Sequence, residues 1–184
     1  MTLGAVAPGI RVALCRARTR NDGIVRAPGL TATTLAHGLG RRGPFGNVTG
    51  AGGDDVIDLG VDGAFGAWGD HFAGGTAVGS GNDHITGGTG GETVLAGDSS
   101  LANPAGSTAG NDVIDGRGGD DHIFGDNRDW SQTLGTAGGN DTIRGGAGDD
   151  FLRGGPAGDA LNGNAGTDDC DGEGGTDSGL NCEA

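Results

Sequence analysis

From residue 136 to residue 180 a glycine-rich stretch ending in Asp is followed, two residues later, by an apolar side chain, and the pattern returns every nine residues. Five units abut there: TAGGNDTIR at 136–144, GGAGDDFLR at 145–153, GGPAGDALN at 154–162, GNAGTDDCD at 163–171 and GEGGTDSGL at 172–180. They follow G-G-x-G-x-D-x-U-x, with U apolar, until Gly179 takes the apolar position. Upstream the units come in pairs, 78–86 with 87–95 and 107–115 with 116–124, and another stands at 50–58. The unit due at 59–67 is degraded, with Ala64 at the Asp position and Gly66 at the apolar one. The x-U-x stretch predicts a three-residue strand, one side chain pointing inward and its neighbours outward. The inward set is Ile57, Ile85, Val94, Ile114, Ile123, Ile143, Leu152, Leu161 and Cys170, rich in the β-branched residues that short strands prefer. The G-G-x-G-x-D stretch predicts a turn whose glycines permit positive φ and leave carbonyls exposed. Two units make a flattened coil of 18 residues, and stacked coils give two narrow parallel sheets around a thin core.

A longer period is superimposed. The first unit of each pair starts at residue 50, 78, 107 or 136, and an insert of about ten residues separates one pair from the next. The inserts open alike, with Gly69-Asp70, Gly97-Asp98 and Gly125-Asp126. The chain thus divides into long coils over 49–135, regular coils with a terminal cap over 136–184, and a leading segment, 1–48.

Composition sharpens this division. With 45 Gly and 5 Pro in 184 residues, there is too little large apolar side chain for an ordinary enzyme core. Gly at every third position, as collagen needs, is absent, and no apolar run approaches the length of a membrane span. Segment 1–48 carries seven Arg and one acid, Asp22, whereas the rest carries four Arg and twenty-four Asp or Glu. The leading segment, broken by Pro8, Pro28 and Pro44, reads as a disordered basic leader. Its apolar stretch is interrupted by Pro8 and Arg11, unlike a signal peptide. A nucleic-acid-binding arm would interleave aromatic residues, and none occurs before Phe45, so no nucleic-acid partner is expected.

Stacking brings Asp residues onto two edges. Asp55, Asp83, Asp112, Asp141, Asp159 and Asp177 fall on one; Glu92, Asp121, Asp150 and Asp168 fall on the other. Rows of carboxylates spaced like strands repel one another unless a cation neutralises them, and the turn carbonyls beside them are hard oxygen donors. Such a groove suits Ca²⁺, with six to eight oxygen ligands, better than Mg²⁺, which demands a tight octahedron.

These units resemble the RTX, or haemolysin-type, calcium-binding nonapeptide repeat family over roughly residues 50–180. The resemblance implies an all-β fold, a parallel β-roll or right-handed β-solenoid, beside the irregular N-terminal segment. It implies several calcium ions between turns, held by the Asp residues of both rows and by carbonyls of Gly145, Ala147, Gly154, Pro156 and Gly163. Glu92 and Ala64 depart from the Asp of the motif, and Ala157 from its fourth glycine. The resemblance also implies a secreted, extracellular protein that folds when it meets calcium.

Other chemistry is weaker. Gly97-Asp98-Ser99-Ser100-Leu101 nearly spells the GDSL hydrolase block, but Gly-Asn-Asp recurs at repeat phase and the α/β scaffold is missing, so no enzyme is expected. His84 and His122 fall at outward positions, and the four His share no metal-ligand spacing. Trp68 and Trp130, in or beside the inserts, either pack over the ends of the core or form a contact surface. Cys170 and Cys182 either staple the last coil or stand as a core residue and a free thiol; Cys15 stands apart. The function expected is calcium binding outside the cell. The alternatives are a calcium-dependent adhesion module with an extracellular surface or matrix partner, and the non-catalytic remnant of a secreted toxin or exoenzyme. An ice-binding solenoid would need flat ranks of Thr or Asn, and only scattered ones such as Thr86, Thr142 and Asn162 occur.

Overall fold

The computed structural model describes residues 52–61, 66–70, 79–100, 109–128 and 137–183, and the backbone of four further short strands. Fifteen strands follow one another, with no helix among the described residues. The main ones alternate between two sheets. The first sheet holds β1 (Val25–Arg26), β4 (Val56–Asp58), β7 (His84–Thr86), β9 (Val113–Gly118), β11 (Thr142–Ala147), β13 (Ala160–Ala165) and β15 (Ser178–Leu180), in that order. The second holds β2 (Leu35–His37), β5 (Gly66–Trp68), β8 (Val94–Ala96), β10 (His122–Phe124), β12 (Phe151–Pro156) and β14 (Asp169–Gly174). Every pairing is parallel. This is a parallel β-roll. A third, two-stranded sheet pairs β3 (Val48–Thr49) with β6 (Ala77–Val78).

Register follows the repeat. Ile57, Ile85, Ile114, Ile143 and Leu161 stand opposite one another through the first sheet. Ala67, Leu95, Ile123, Leu152 and Cys170 do so through the second. These ten side chains and Leu59 are the core, and all are buried except Cys170, which is half-buried against it. The core is two residues wide per coil, so the glycine-rich composition suffices only because every coil repeats the same small apolar pair.

The spacing predicts Val94 at the inward position of β8, but that position is held by Leu95. Glu92 still sits opposite Asp121, since its amide donates to that carboxylate, but Leu95 sits opposite Ile123. One additional residue, Thr93, therefore lies between turn and strand. Side chains alternate with a period of two, so one extra residue moves Val94 to the other face. Ala67 is inward for the same reason, one residue beyond Gly66. Val94 packs on the outer face with Trp68, Ala96 and Phe124. The Arg128 guanidinium lies 4.7 Å over the Phe124 ring and bonds Glu173 at 2.8 Å.

β1 and β2 come from the basic segment and extend both sheets beyond residue 49, the expected start of the roll. They can do so because a sheet edge offers unpaired backbone groups to any extended neighbour. The rest of segment 1–48, with Ala64, His71 and Trp130, lies outside the described residues.

At the other end Leu161 faces Gly179, where an apolar side chain is missing. The disulfide joining Cys170 to Cys182 closes over that gap, with its Cα atoms 5.7 Å apart. The Cys182 sulfur lies 3.8 Å from where a Cβ on Gly179 would be.

Candidate metal centre

The glycines of the motif serve two purposes. The second and fourth positions take positive φ: Gly146 and Gly148 at 121° and 138°, Gly155 and Ala157 at 115° and 96°. The first position needs no Cβ for a different reason. A Cβ on Gly145 would meet Asp150 Oδ2 and, at 2.8 Å, the carbonyl oxygen of Gly163 in the next coil. The same pair of oxygens faces Gly116 (Asp121 Oδ2 and Gly145 O) and Gly125 (Asp141 Oδ2 and Gly154 O). It faces Gly69 and Gly97 as well, through Asp83 Oδ2 with Gly97 O and Asp112 Oδ2 with Gly125 O. Each turn thus turns a carboxylate oxygen and a carbonyl oxygen of the following coil toward a space kept open by glycine.

The other oxygen of each Asp is committed. Asp55 N donates to Asp83 Oδ1, Asp83 N to Asp112 Oδ1 and Asp112 N to Asp141 Oδ1, each at 2.7 Å. Asp141 N donates to Asp159 Oδ1 at 2.8 Å and Asp159 N to Asp177 Oδ1 at 2.9 Å. The second row runs from Glu92 N to Asp121 Oδ1 at 2.6 Å, then Asp121 N to Asp150 and Asp150 N to Asp168, each at 2.9 Å. Glu183 ends this row, its Oε2 accepting from Asp168 N at 2.7 Å. Among the described residues, Oδ2 of Asp83, Asp112, Asp121, Asp141, Asp150, Asp159 and Asp168 is buried with no hydrogen-bond donor. A buried carboxylate oxygen without a donor is costly, and a row of them is the fit expected of oxygens awaiting a hard cation.

Electrostatics agree. Burial pushes the Asp83, Asp112 and Asp121 carboxyls up to about 9, with neighbouring carboxylates adding to it and the donated amide hydrogen bonds opposing. Asp141 is raised to about 7, and Asp150 and Asp159 to about 6, by burial first. These groups cannot all ionise at neutral pH within this fold without compensating positive charge.

The carbonyls implied by the resemblance divide. Those of Gly145, Gly154 and Gly163 face first-position glycines of the preceding coil, and that of Pro156 faces Gly138. The Ala147 carbonyl accepts from Gly119 N at 2.7 Å as part of the sheet ladder. No three His, Cys, Asp or Glu side chains among the described residues converge closely enough to hold a metal by themselves. Main-chain carbonyls must complete any ligand set.

His84 and His122 are exposed, outside the rows. Trp68 is buried, so it is packing and not a contact surface. Outside the first row runs a ladder that the spacing shows only as a recurring Gly-Asn-Asp. Asn82 N donates to Asp54, Asn111 N to Asn82 and Asn140 N to Asn111, at 2.9, 3.0 and 2.7 Å.

A parallel β-roll with glycine-cradled carboxylate rows on its turns defines a cation-binding repeat protein. The RTX calcium-binding nonapeptide repeat family (HemolysinCabind) matches in four copies, at residues 77–99, 107–127, 136–159 and 153–178. The chain belongs to this family, and its repeats are calcium-binding ones. No curated protein and no solved structure matches the chain.

Proposed function

We propose that the protein is a non-catalytic, extracellular calcium-binding roll whose repeats fold as the ions enter between stacked turns. The observation that carries this reading is the row of buried, donor-less Oδ2 atoms, of which those of Asp83, Asp112, Asp121, Asp141, Asp150 and Asp168 share the space beside a glycine with a carbonyl of the next coil. The ligands are Asp55, Asp83, Asp112, Asp121, Asp141, Asp150, Asp159, Asp168 and Asp177, with carbonyls of Gly145, Gly154, Pro156 and Gly163 completing the shells. Calcium supplies the positive charge that neutralises the rows. Because the site exists only when coils are stacked, its binding free energy is folding free energy. Cytosolic calcium is too low to fill weak sites of this kind, whereas extracellular calcium is in their range, and the disulfide fits an oxidising compartment.

Far-UV circular dichroism of the full chain, titrated with calcium and separately with magnesium, tests this. The expected result is a coil-to-β transition at about millimolar calcium and none with magnesium. A full β signal in chelator near pH 8, or no β signal at any calcium concentration, overturns coupled folding.

A further inference from the structure

The two edges of the roll are built differently. On one edge every described turn is compact: Gly87 to Glu92, Gly116 to Asp121, Gly145 to Asp150 and Gly163 to Asp168. On the other, the compact turn Gly154 to Asp159 is preceded by three connections lengthened by the inserts, the wide turns, from Gly69 to Asp83, from Gly97 to Asp112 and from Gly125 to Asp141, whose middle residues lie outside the described ones. The wide turns keep the first glycine and the final Asp. At the second position, where the compact turn has Gly155, they carry Asp70, Asp98 and Asp126.

These three side chains are buried. Asp70 N donates to the Asp98 carbonyl at 3.1 Å, which stacks the two coils at this position. Asp126 is the best defined. Its Oδ1 accepts from Gly139 N at 2.8 Å, and its Oδ2 is buried with no donor. That free oxygen lies against Gly155 and 2.8 Å from the Cβ position of Gly138, which the Pro156 carbonyl also faces. Asp141, whose own Oδ2 is donor-less and faces Gly154 O, is close enough to interact electrostatically with Asp126. Two carboxylates of one turn therefore face neighbouring residues of the next coil, Asp141 against Gly154 O and Asp126 against Gly155 and Pro156 O. One coil earlier Asp112 Oδ2 again faces Gly125 O, but Asp98 differs from Asp126: both its oxygens accept hydrogen bonds, Oδ1 from Gly110 N at 3.1 Å and Oδ2 from Asn127 Nδ2 at 3.4 Å.

We propose that the wide turn from Gly125 to Asp141 holds a calcium ion with two of its own carboxylates, Asp126 and Asp141, where a compact turn offers one. This rests on the reading of the rows as calcium sites. The second carboxylate gives this site more negative charge, and so tighter binding, than the compact ones. This insert thus adds a ligand as well as length.

Native mass spectrometry and equilibrium dialysis of the full chain with calcium test this on Asp126→Asn, with Asp150→Asn as the comparison on the compact edge. The expected result is loss of the tightest ion in Asp126→Asn. Asp150→Asn should weaken a looser class and leave the tightest ion in place. An unchanged ion count and affinity in Asp126→Asn overturns the proposal while leaving the compact sites standing. A wild-type chain that binds no calcium overturns both this and the reading beneath it. Should Asp126→Asn fail to give a β signal, Asp126→Gly, which restores the glycine of the compact turn, is judged by the same loss of one ion.

Discussion

Asp150→Asn should make the chain fold more readily without calcium and bind calcium less well. Asn keeps an acceptor for Asp121 N, now 2.9 Å from Asp150 Oδ1. Its amide group would take the place of the donor-less Oδ2 and can donate toward the Gly163 carbonyl, which borders the same gap. The variant thus exchanges a buried, uncompensated charge for a satisfied dipole. Burial raises the Asp150 carboxyl from 3.8 to about 6, which penalises the ionised, calcium-free fold by on the order of 3 kcal/mol at neutral pH. The variant removes that penalty. With calcium the sign reverses, because the ion loses one anionic ligand; a tenfold weaker half-saturation corresponds to about 1.4 kcal/mol. The assay is circular dichroism in two series, trimethylamine N-oxide in chelator and calcium without osmolyte. The osmolyte midpoint should fall and the calcium midpoint rise. Asp149→Asn is the control, since Asp149 is exposed and its Oδ1 already accepts from Thr167 N at 2.9 Å. A variant destabilised in both series would refute the reasoning, because it would make Asp150 a structural hydrogen-bonding residue only.

Three further expectations follow from the same geometry. Leu152 is fully buried in a core with one side chain per strand, so Leu152→Ala should cost about 2–5 kcal/mol in calcium-saturated chemical denaturation, and a loss below about 1 kcal/mol would show a core able to collapse around the gap. Ala157 holds a φ of 96° that glycine tolerates better, so Ala157→Gly should raise stability by about 1 kcal/mol, seen as a higher denaturation midpoint in calcium. Carboxyls raised in the folded state favour the calcium-free fold below about pH 4, and that contribution is lost as pH rises through about 6 for Asp150 and Asp159 and about 9 for Asp83 and Asp112. In chelator the β signal should therefore be present near pH 4 and absent near pH 8, and the opposite order would mean that the rows do not govern folding.

Much of this site was legible in the chain because the repeat is strict. A constant distance between Asp residues puts Asp141, Asp159 and Asp177 on one edge whatever the turn does in detail. The Asp-to-Asp amide bonds across 18 and 29 residues follow from it. What escaped depended on single residues out of phase. Thr93 exchanges Val94 for Leu95 in the core, and nothing in the composition of 87–95 marks which residue is extra. Asp70, Asp98 and Asp126 are visible as a second acidic period, but their place beside the first row depends on which edge widens. Glu183 arrives early relative to the nonapeptide phase. It can still replace the next Asp because its longer side chain reaches Asp168 N from a backbone whose own amide bonds the Asp168 carbonyl at 2.9 Å.

A row Asp inside the roll, such as Asp83, Asp112, Asp121, Asp141, Asp150 or Asp168, touches three coils at once. Its Oδ1 accepts an amide from the coil before, its Oδ2 lies against the first glycine of its own turn, and that same Oδ2 faces a carbonyl of the coil after. Asp141 shows all three, through Asp112 N, Gly125 and Gly154 O. An ion held at Oδ2 therefore fixes its own coil to the next one. The amide bond to Oδ1 in turn orients the carboxylate only if the previous coil is already stacked. On the proposed reading neither half of the arrangement is stable alone: without the ion the buried charge is uncompensated, and without the neighbour the carboxylate is unaimed. Repeat proteins of this type gain stability through nearest-neighbour terms, and on that reading those terms contain the ion itself. The roll and its calcium should accordingly appear together, with filling of one gap preparing the next, and the glycine at the first position of each unit is the residue that makes room for the coupling.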